Sequence, residues 1–382
     1  MSIQAVLLIV LFNMTAFRAS KVLISLFAID LGASQFLIGV LIALYSLFPV
    51  MLALYAGKLS DRFGVKVPMI VGSLGFAGGL AVPFLFQSLT ALCVSAVLIG
   101  VFHMMYNISA QNLVGSLGGP EARTRNFSNY ALAMAIGSFI GPMSAGFSID
   151  QIGYATSYLF IAAFPLVPAF IMAFSRGVVS GRRVKTEEEQ ATLSASLLSN
   201  PVLRRTLIAS AVATTAQDLF QFYMPIYGHS IGLSASAIGV VLAMSGIAAF
   251  VVRTALPAMV KRWSADTVFN TSLYVSASAF LFFPLLTNAP ALAALALVLG
   301  LGMGCAQPVT LMLIYNRAPD GRSGEALGMR VTINQFMHIA VPILFGSLGT
   351  AFGIAPVFFI NSVILAGGGL LNRDRGQRTE KH

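Results

Sequence analysis

Arg330, Asn334 and His338 stand four residues apart, so on an α-helix they share one face. An arginine presents a planar donor fork suited to a carboxylate or phosphate. Asparagine both donates and accepts, and histidine is the side chain type whose charge changes near neutral pH. The stripe therefore reads as a contact for a ligand or a coupling proton, with helix-to-helix glue as the plain alternative. A shorter stripe, His103 and Asn107, continues toward Gln111 and Asn112, and there the two readings are evenly matched. Arg18, Lys21, Asp218 and Arg253 also lie inside apolar runs, and Asp218 is flanked by Gln217 and Gln221. Four lipid-facing cations at mid-membrane would oppose insertion by about 10–14 kcal/mol, so they are expected to face a wet interior. Four cations against one acid leave that interior positive, which points to an organic anion or a zwitterionic amphiphile as substrate.

The elements that must carry these groups follow from composition. The chain is 57% hydrophobic and 9% charged, where a soluble protein is roughly 25% charged. Apolar runs long enough to cross a bilayer recur near 4–29, 36–56, 67–87, 91–116, 127–148, 154–175, 203–227, 236–258, 266–287, 291–315, 325–348 and 353–371. The fold class is thus an all-α polytopic membrane protein with twelve spans. The first run contains Arg18 and Lys21 and lacks a small-residue cleavage site, so no cleavable leader is expected. Cys93 and Cys305 both fall in apolar runs, which leaves no disulfide or metal framework. No Walker loop, nucleotide fold or cofactor motif is present, so neither ATP nor a cofactor is expected. A single firmly buried acid is too little for a membrane-embedded enzyme.

With the N-terminus cytoplasmic, nineteen of the 23 lysines and arginines fall in inner loops, at the cytoplasmic start of the seventh span or in the C-terminal tail, and the remaining four, Arg18, Lys21, Arg253 and Arg330, lie deeper inside spans. That bias predicts cytoplasmic termini and explains the net charge of +10 without a nucleic-acid partner. The one long connection, 176–200, contains Gly181-Arg182-Arg183 and then Lys185-Thr186-Glu187-Glu188-Glu189, and reads as a solvated cytoplasmic linker. It divides a bundle over 1–175 from a second over 201–372, with a cytoplasmic tail over 373–382. A gapless shift of 200 residues superposes Thr15-Ala16 on Thr215-Ala216, Gly32 on Gly232 and Ile38-Gly39-Val40 on Ile238-Gly239-Val240. It also superposes Arg62 on Arg262, Gly100 on Gly300, Pro142 on Pro342 and Gly146 on Gly346. A constant offset over five helices predicts two pseudo-symmetric six-helix bundles.

Gly57-Lys58-Leu59-Ser60-Asp61-Arg62-Phe63-Gly64-Val65-Lys66, between the second and third spans, fits G-x-L-x-D-R-x-G-x-K and reads as a charged loop at the water boundary. It resembles the signature loop of the major facilitator superfamily, and with the repeat the resemblance covers the whole chain. The resemblance implies alternating access around a site between the halves. It also implies a gating role for Gly57, Asp61, Arg62 and Gly64, the acid facing the N-terminal end of another helix. A tight turn joining two helices is the plainer reading. The second copy, ending Lys261-Arg262-Trp263-Ser264, loses both glycines and the acid. In the fifth span Gly137, Gly141, Pro142 and Gly146 resemble the G-x-x-x-G-P-x-x-G-G motif of the exporting branches, with one residue of spacing and one glycine changed. Drug/proton antiporters usually carry an arginine a turn before the glycine of the fourth span; here that position is Ala96, which weighs against a multidrug substrate.

The superfamily places the third, sixth, ninth and twelfth helices outermost, and their cores here lack ionisable residues. It places the first and seventh helices opposite one another, which implies an ion pair or close coupling of Arg18 with Asp218, with Lys21 serving Asp218 or a ligand. Arg253, a turn before Pro257, reads first as gate or packing. Asp218, His103 and His338 are the titratable candidates for proton coupling, with facilitated diffusion and exchange left open. The expected protein is a monomeric secondary transporter of the cell inner membrane, with export favoured over uptake by proton symport. A flippase for lipid-like amphiphiles would share these features, and a receptor or scaffold on the same fold is the non-transport alternative.

Overall fold

The computed structural model describes residues 3–117, 120–175, 200–319 and 322–373, with the backbone alone at 3, 53–63, 120–124, 323–324 and 373. The expected linker, but for Asn200, and the tail beyond 373 lie outside the described residues. Among those described there are twelve α-helices and no strand. They are α1 (Ile3–Asp30), α2 (Gln35–Phe63), α3 (Lys66–Leu85), α4 (Leu89–Ser116), α5 (Pro120–Ile152) and α6 (Tyr154–Phe174). After the long connection come α7 (Pro201–Ser230), α8 (Ala235–Trp263), α9 (Ala265–Phe282), α10 (Ala289–Arg317), α11 (Ser323–Phe352) and α12 (Ile354–Arg373). A 3₁₀ turn, Phe283–Leu285, follows α9. Eleven of the twelve are long and apolar enough to cross a membrane. The exception, α7, carries Arg204, Arg205, Gln217, Asp218 and Gln221, which dilute its hydropathy.

The helix ends repeat at the same offset of 200. Gly32 and Gly232 take φ of 77° and 79° after α1 and α7, and Gly153 and Gly353 take 76° and 85° after α5 and α11. Ser88 and Asn288 both cap the helices that follow them, accepting from the N–H three residues on. Ser34 and Ser234 do the same for α2 and α8.

The signature stretch differs from the expected loop. Residues 57–63 continue α2 for two more turns, so only Gly64 and Val65 separate α2 from α3. Gly64 turns the chain with φ 71°, a left-handed conformation that favours glycine. In the second copy Ser264 keeps that conformation at φ 65°, and it is the one non-glycine with positive φ among the described residues. Lys66, the last residue of the signature, reaches the end of α6, where Nζ donates to the carbonyls of Ala173 and Ser175 at 3.1 and 3.0 Å. A cation on the orphan carbonyls of a helix C-terminus is favoured by the dipole. The side chains of Asp61 and Arg62, and hence the expected gate contact, lie outside the described residues.

The chain forms two compact units. The first holds α1–α6 together with the segment Gly228–Ala243, and the second holds the rest of α7 and α8 with α9–α12. In the first unit α1 packs on α5 and α6, α3 on α4 and α6, and α2 on α4. Small residues allow the α1–α5 approach: a methyl on Gly137 would meet Met14 Cβ at 2.9 Å, and one on Gly141 would meet Arg18 Cβ and the Thr15 carbonyl at 2.6 Å. In the second unit α9 packs on α10 and α12, and α7 meets α11 through side-chain hydrogen bonds. At the end of α10, Arg317 bonds Thr206 and pairs with Asp266 at 2.5 Å, and Asn372 joins this group.

Candidate functional site

Helices α7 and α11 are joined by a ladder of three rungs. Arg330 Nε donates to Ser210 Oγ at 3.1 Å, and Thr214 Oγ1 donates to Asn334 Oδ1 at 3.2 Å. His338 Nδ1 donates to Asp218 Oδ2 at 2.5 Å. Ser210, Thr214 and Asp218 recur every four residues on α7, as Arg330, Asn334 and His338 do on α11, so two facing stripes meet rung for rung. The stripe on α11 was legible in the sequence. Its α7 counterpart was not read, although the matching spacing was there to find.

The rungs differ in character. Arg330 and Asn334 are buried, at 8% and 9% exposure. The Asp218–His338 rung is wetter, its side chains 19% and 36% exposed. Among the described residues no carboxylate pairs with Arg330. The guanidinium instead lines a small cavity within the second unit, with Gln217, Gln307 and Thr310 as further polar groups and Met303, Ala213 and Ala306 as apolar ones. A buried cation without a counter-charge is costly unless something outside the protein neutralises it.

The repeat explains where this cavity comes from. Shifted by 200, the lining residues Gln217, Met303, Gln307 and Arg330 correspond to Phe17, His103, Asn107 and Tyr130 in the first unit. There the same positions are filled. The Phe17 ring stacks on His103 at 3.8 Å with planes 8° apart, and Phe76 meets the imidazole edge-on. His103 Nδ1 is bound to Asn13 Oδ1 at 2.8 Å, and Tyr130 Oη donates to Asn107 Oδ1 at 2.5 Å. His103 and Asn107 are therefore packing groups of a partly exposed aromatic cluster in this conformation, whereas their counterparts Met303 and Gln307 line open space. Neither of those counterparts was singled out in the sequence. The offset of 200 would have pointed to both.

The remaining predicted residues are placed as follows. Lys21 Nζ sits 5.1 Å from the Phe17 ring and 6.0 Å from the Tyr45 ring, a cation–π environment. Arg18 lies on α1 in the first unit, where its Cβ faces Gly141. Asp218 is engaged by His338 within the second unit, and Gln221 follows Gln217 by one turn on α7. Arg253 Nε donates to the Gly304 carbonyl at 3.2 Å, which ties α8 to α10 and suits the packing reading. Among the described residues no group of three metal-ligating side chains forms.

Long apolar helices with a few polar groups turned into their packed faces define a polytopic membrane protein. A family model, the Major Facilitator Superfamily, matches residues 6–342 and again 258–381, and the chain belongs to that family. It is a multi-pass membrane transporter of a small-molecule substrate, not an enzyme. Among curated proteins it is similar to "Multidrug resistance protein MdtG" of Dickeya zeae, with 22% identity over 93% of this chain and 89% of that one. It is also similar to "Quinolone resistance protein NorA" of Staphylococcus aureus, with 21% identity over 88% and 87% of the two chains. Among solved structures the nucleoside transporter NupG superposes with a TM-score of 0.79 at 15% identity, covering 97% of this chain and 98% of that one. A POT family transporter in complex with 5-aminolevulinic acid gives 0.78 at 13% identity, covering 97% and 94%. At these identities the structural neighbours establish the fold alone.

Proposed function

We propose that the protein is a secondary transporter of the bacterial inner membrane that exports a small organic anion or zwitterion by alternating access of its two six-helix halves. The observation that carries the anionic part is Arg330, buried at a cavity with no carboxylate paired to it among the described residues. Asp218 and His338, two turns further along the same helices, are the proton-coupling pair in this reading. A proton entering there and an anion at Arg330 would feel each other's field through a low-dielectric interior. Arg18 and Lys21 add positive potential in the first unit. The termini are cytoplasmic by the distribution of lysine and arginine, and one chain carrying both halves works as a monomer.

Export is supported by the names of the relatives, which describe drug resistance and multidrug export, and by the glycine–proline pattern of α5. A second reading rests on the aromatic cluster of Phe17, Tyr45 and Phe76, whose ring faces suit an apolar cation as substrate. Thermal unfolding of the purified protein with benzoate, benzylamine and benzamide, three ligands of one size and different charge, separates the two. A ligand at one hundred times its dissociation constant adds about 2.7 kcal/mol of stability. Stabilisation by benzoate in the wild type and not in Arg330→Ala supports the anion site. Stabilisation by benzylamine that survives Arg330→Ala replaces it with the cation reading.

A further inference from the structure

Asp150 was not singled out in the sequence. It stands near the end of α5, and both of its carboxylate oxygens bond the first turn of α8: Ala235 N donates to Oδ1 at 3.1 Å and Ser236 N donates to Oδ2 at 2.8 Å. The next amide, Ala237 N, goes to the helix's own cap, Ser234 Oγ, at 3.2 Å. Two of the orphan donors that open α8 are thus satisfied by a charge from another helix, at the end where the dipole favours an anion.

Below this contact the two backbones touch. A methyl on Gly239 would run into the Pro142 carbonyl, and one on Gly146 into the Ala235 carbonyl. Glycine and proline of the α5 motif therefore form one half of a close seam whose other half is the start of α8, and Asp150 closes its end. The segment Gly228–Ala243 groups with the first unit, while α7 up to Tyr227 and α8 from Met244 group with the second. The chain is shared at this place. The repeat-equivalent of Asp150 is Thr350, which carries no charge.

We propose that Asp150 is a gating residue of the transport cycle: its carboxylate holds the start of α8 on α5 in the present conformation and releases it when that seam parts. The assignment rests on family membership and is independent of which solute is carried.

Hydrogen exchange of the full-length protein in lipid nanodiscs tests it, comparing wild type, Asp150→Asn, Gly239→Ala and Ser234→Ala. Losing a pair of charge-assisted hydrogen bonds should raise the opening equilibrium roughly tenfold or more. Asp150→Asn should then speed exchange by that factor in both strips of the seam, residues 235–243 and residues 142–150. Gly239→Ala, which wedges the backbones apart and leaves the carboxylate in place, should give the same double pattern. Ser234→Ala, which removes only the helix's own cap, should affect residues 235–237 alone. The proposal is overturned if Asp150→Asn matches Ser234→Ala, or if Gly239→Ala leaves residues 142–150 at the wild-type rate.

Discussion

Asp218 on α7 and His338 on α11 are joined by a 2.5 Å hydrogen bond, two helical turns from the point where Ser210 and Arg330 meet on the same two helices. A partly wet acid–base pair and a dry cation thus occupy one ladder, with Thr214 and Asn334 as the rung between. That geometry separates the group suited to taking a proton from the group suited to holding an anion while keeping both on the same pair of rigid elements.

Arg330 is the first residue to change. A hydrogen bond to a charged group contributes about 1.5–3 kcal/mol, so Arg330→Ala should weaken anion binding roughly tenfold to a hundredfold. Arg330→Lys keeps the charge and loses the planar fork, and should fall between the two. Ser210→Ala removes only the Nε partner and should cost less than Arg330→Lys. Titration calorimetry with benzoate gives all four constants, and equal affinity in wild type and Arg330→Ala would remove Arg330 from the site.

Asp218→Asn and His338→Gln should uncouple transport from the proton gradient. In proteoliposomes, uphill movement of radiolabelled benzoate driven by an imposed pH difference should be lost in both variants. Counterflow, which needs only alternating access, should persist. Loss of both activities together would make the pair a structural bolt.

Gly141 sits where a methyl would fall 2.6 Å from Arg18 Cβ and from the Thr15 carbonyl. Backbone cannot yield as a flexible side chain does, so Gly141→Ala should destabilise by about 1–3 kcal/mol. Gly137→Ala, whose nearest atom is Met14 Cβ at 2.9 Å, should cost less. Melting temperatures of the two variants check the order.

Ser264 keeps the left-handed conformation that Gly64 adopts at the equivalent turn. That conformation costs a side-chain-bearing residue roughly 1–2 kcal/mol. Ser264 Oγ also accepts from Thr267 N and so caps α9, a contribution of a few tenths relative to glycine. Ser264→Gly should therefore raise stability, by about 0.5–1.5 kcal/mol after that loss. A lower melting temperature would mean that the cap outweighs the strain.

Twelve helices, the family and the 200-residue repeat were all legible in the linear sequence, for one physical reason. Hydrocarbon leaves an apolar run little choice but to satisfy its own backbone as a helix, and turn glycines such as Gly32 and Gly232 must recur where the chain reverses. The buried charges were legible too, because Arg330 or Asp218 inside an apolar run is expensive wherever the helices end up. Which groups meet was a different matter. The pairing of Asp218 with His338 and of Asp150 with Ser236, and the filling of one repeat by Phe17 and His103 where the other leaves a cavity beside Arg330, depend on the rotation and depth of each helix against its neighbours. The extension of α2 through the signature stretch was hidden for a related reason, since the charged residues 57–63 read as loop when helix length is judged by hydropathy alone. Composition determines that a segment crosses the membrane, whereas only packing decides what each polar side chain finds when it gets there.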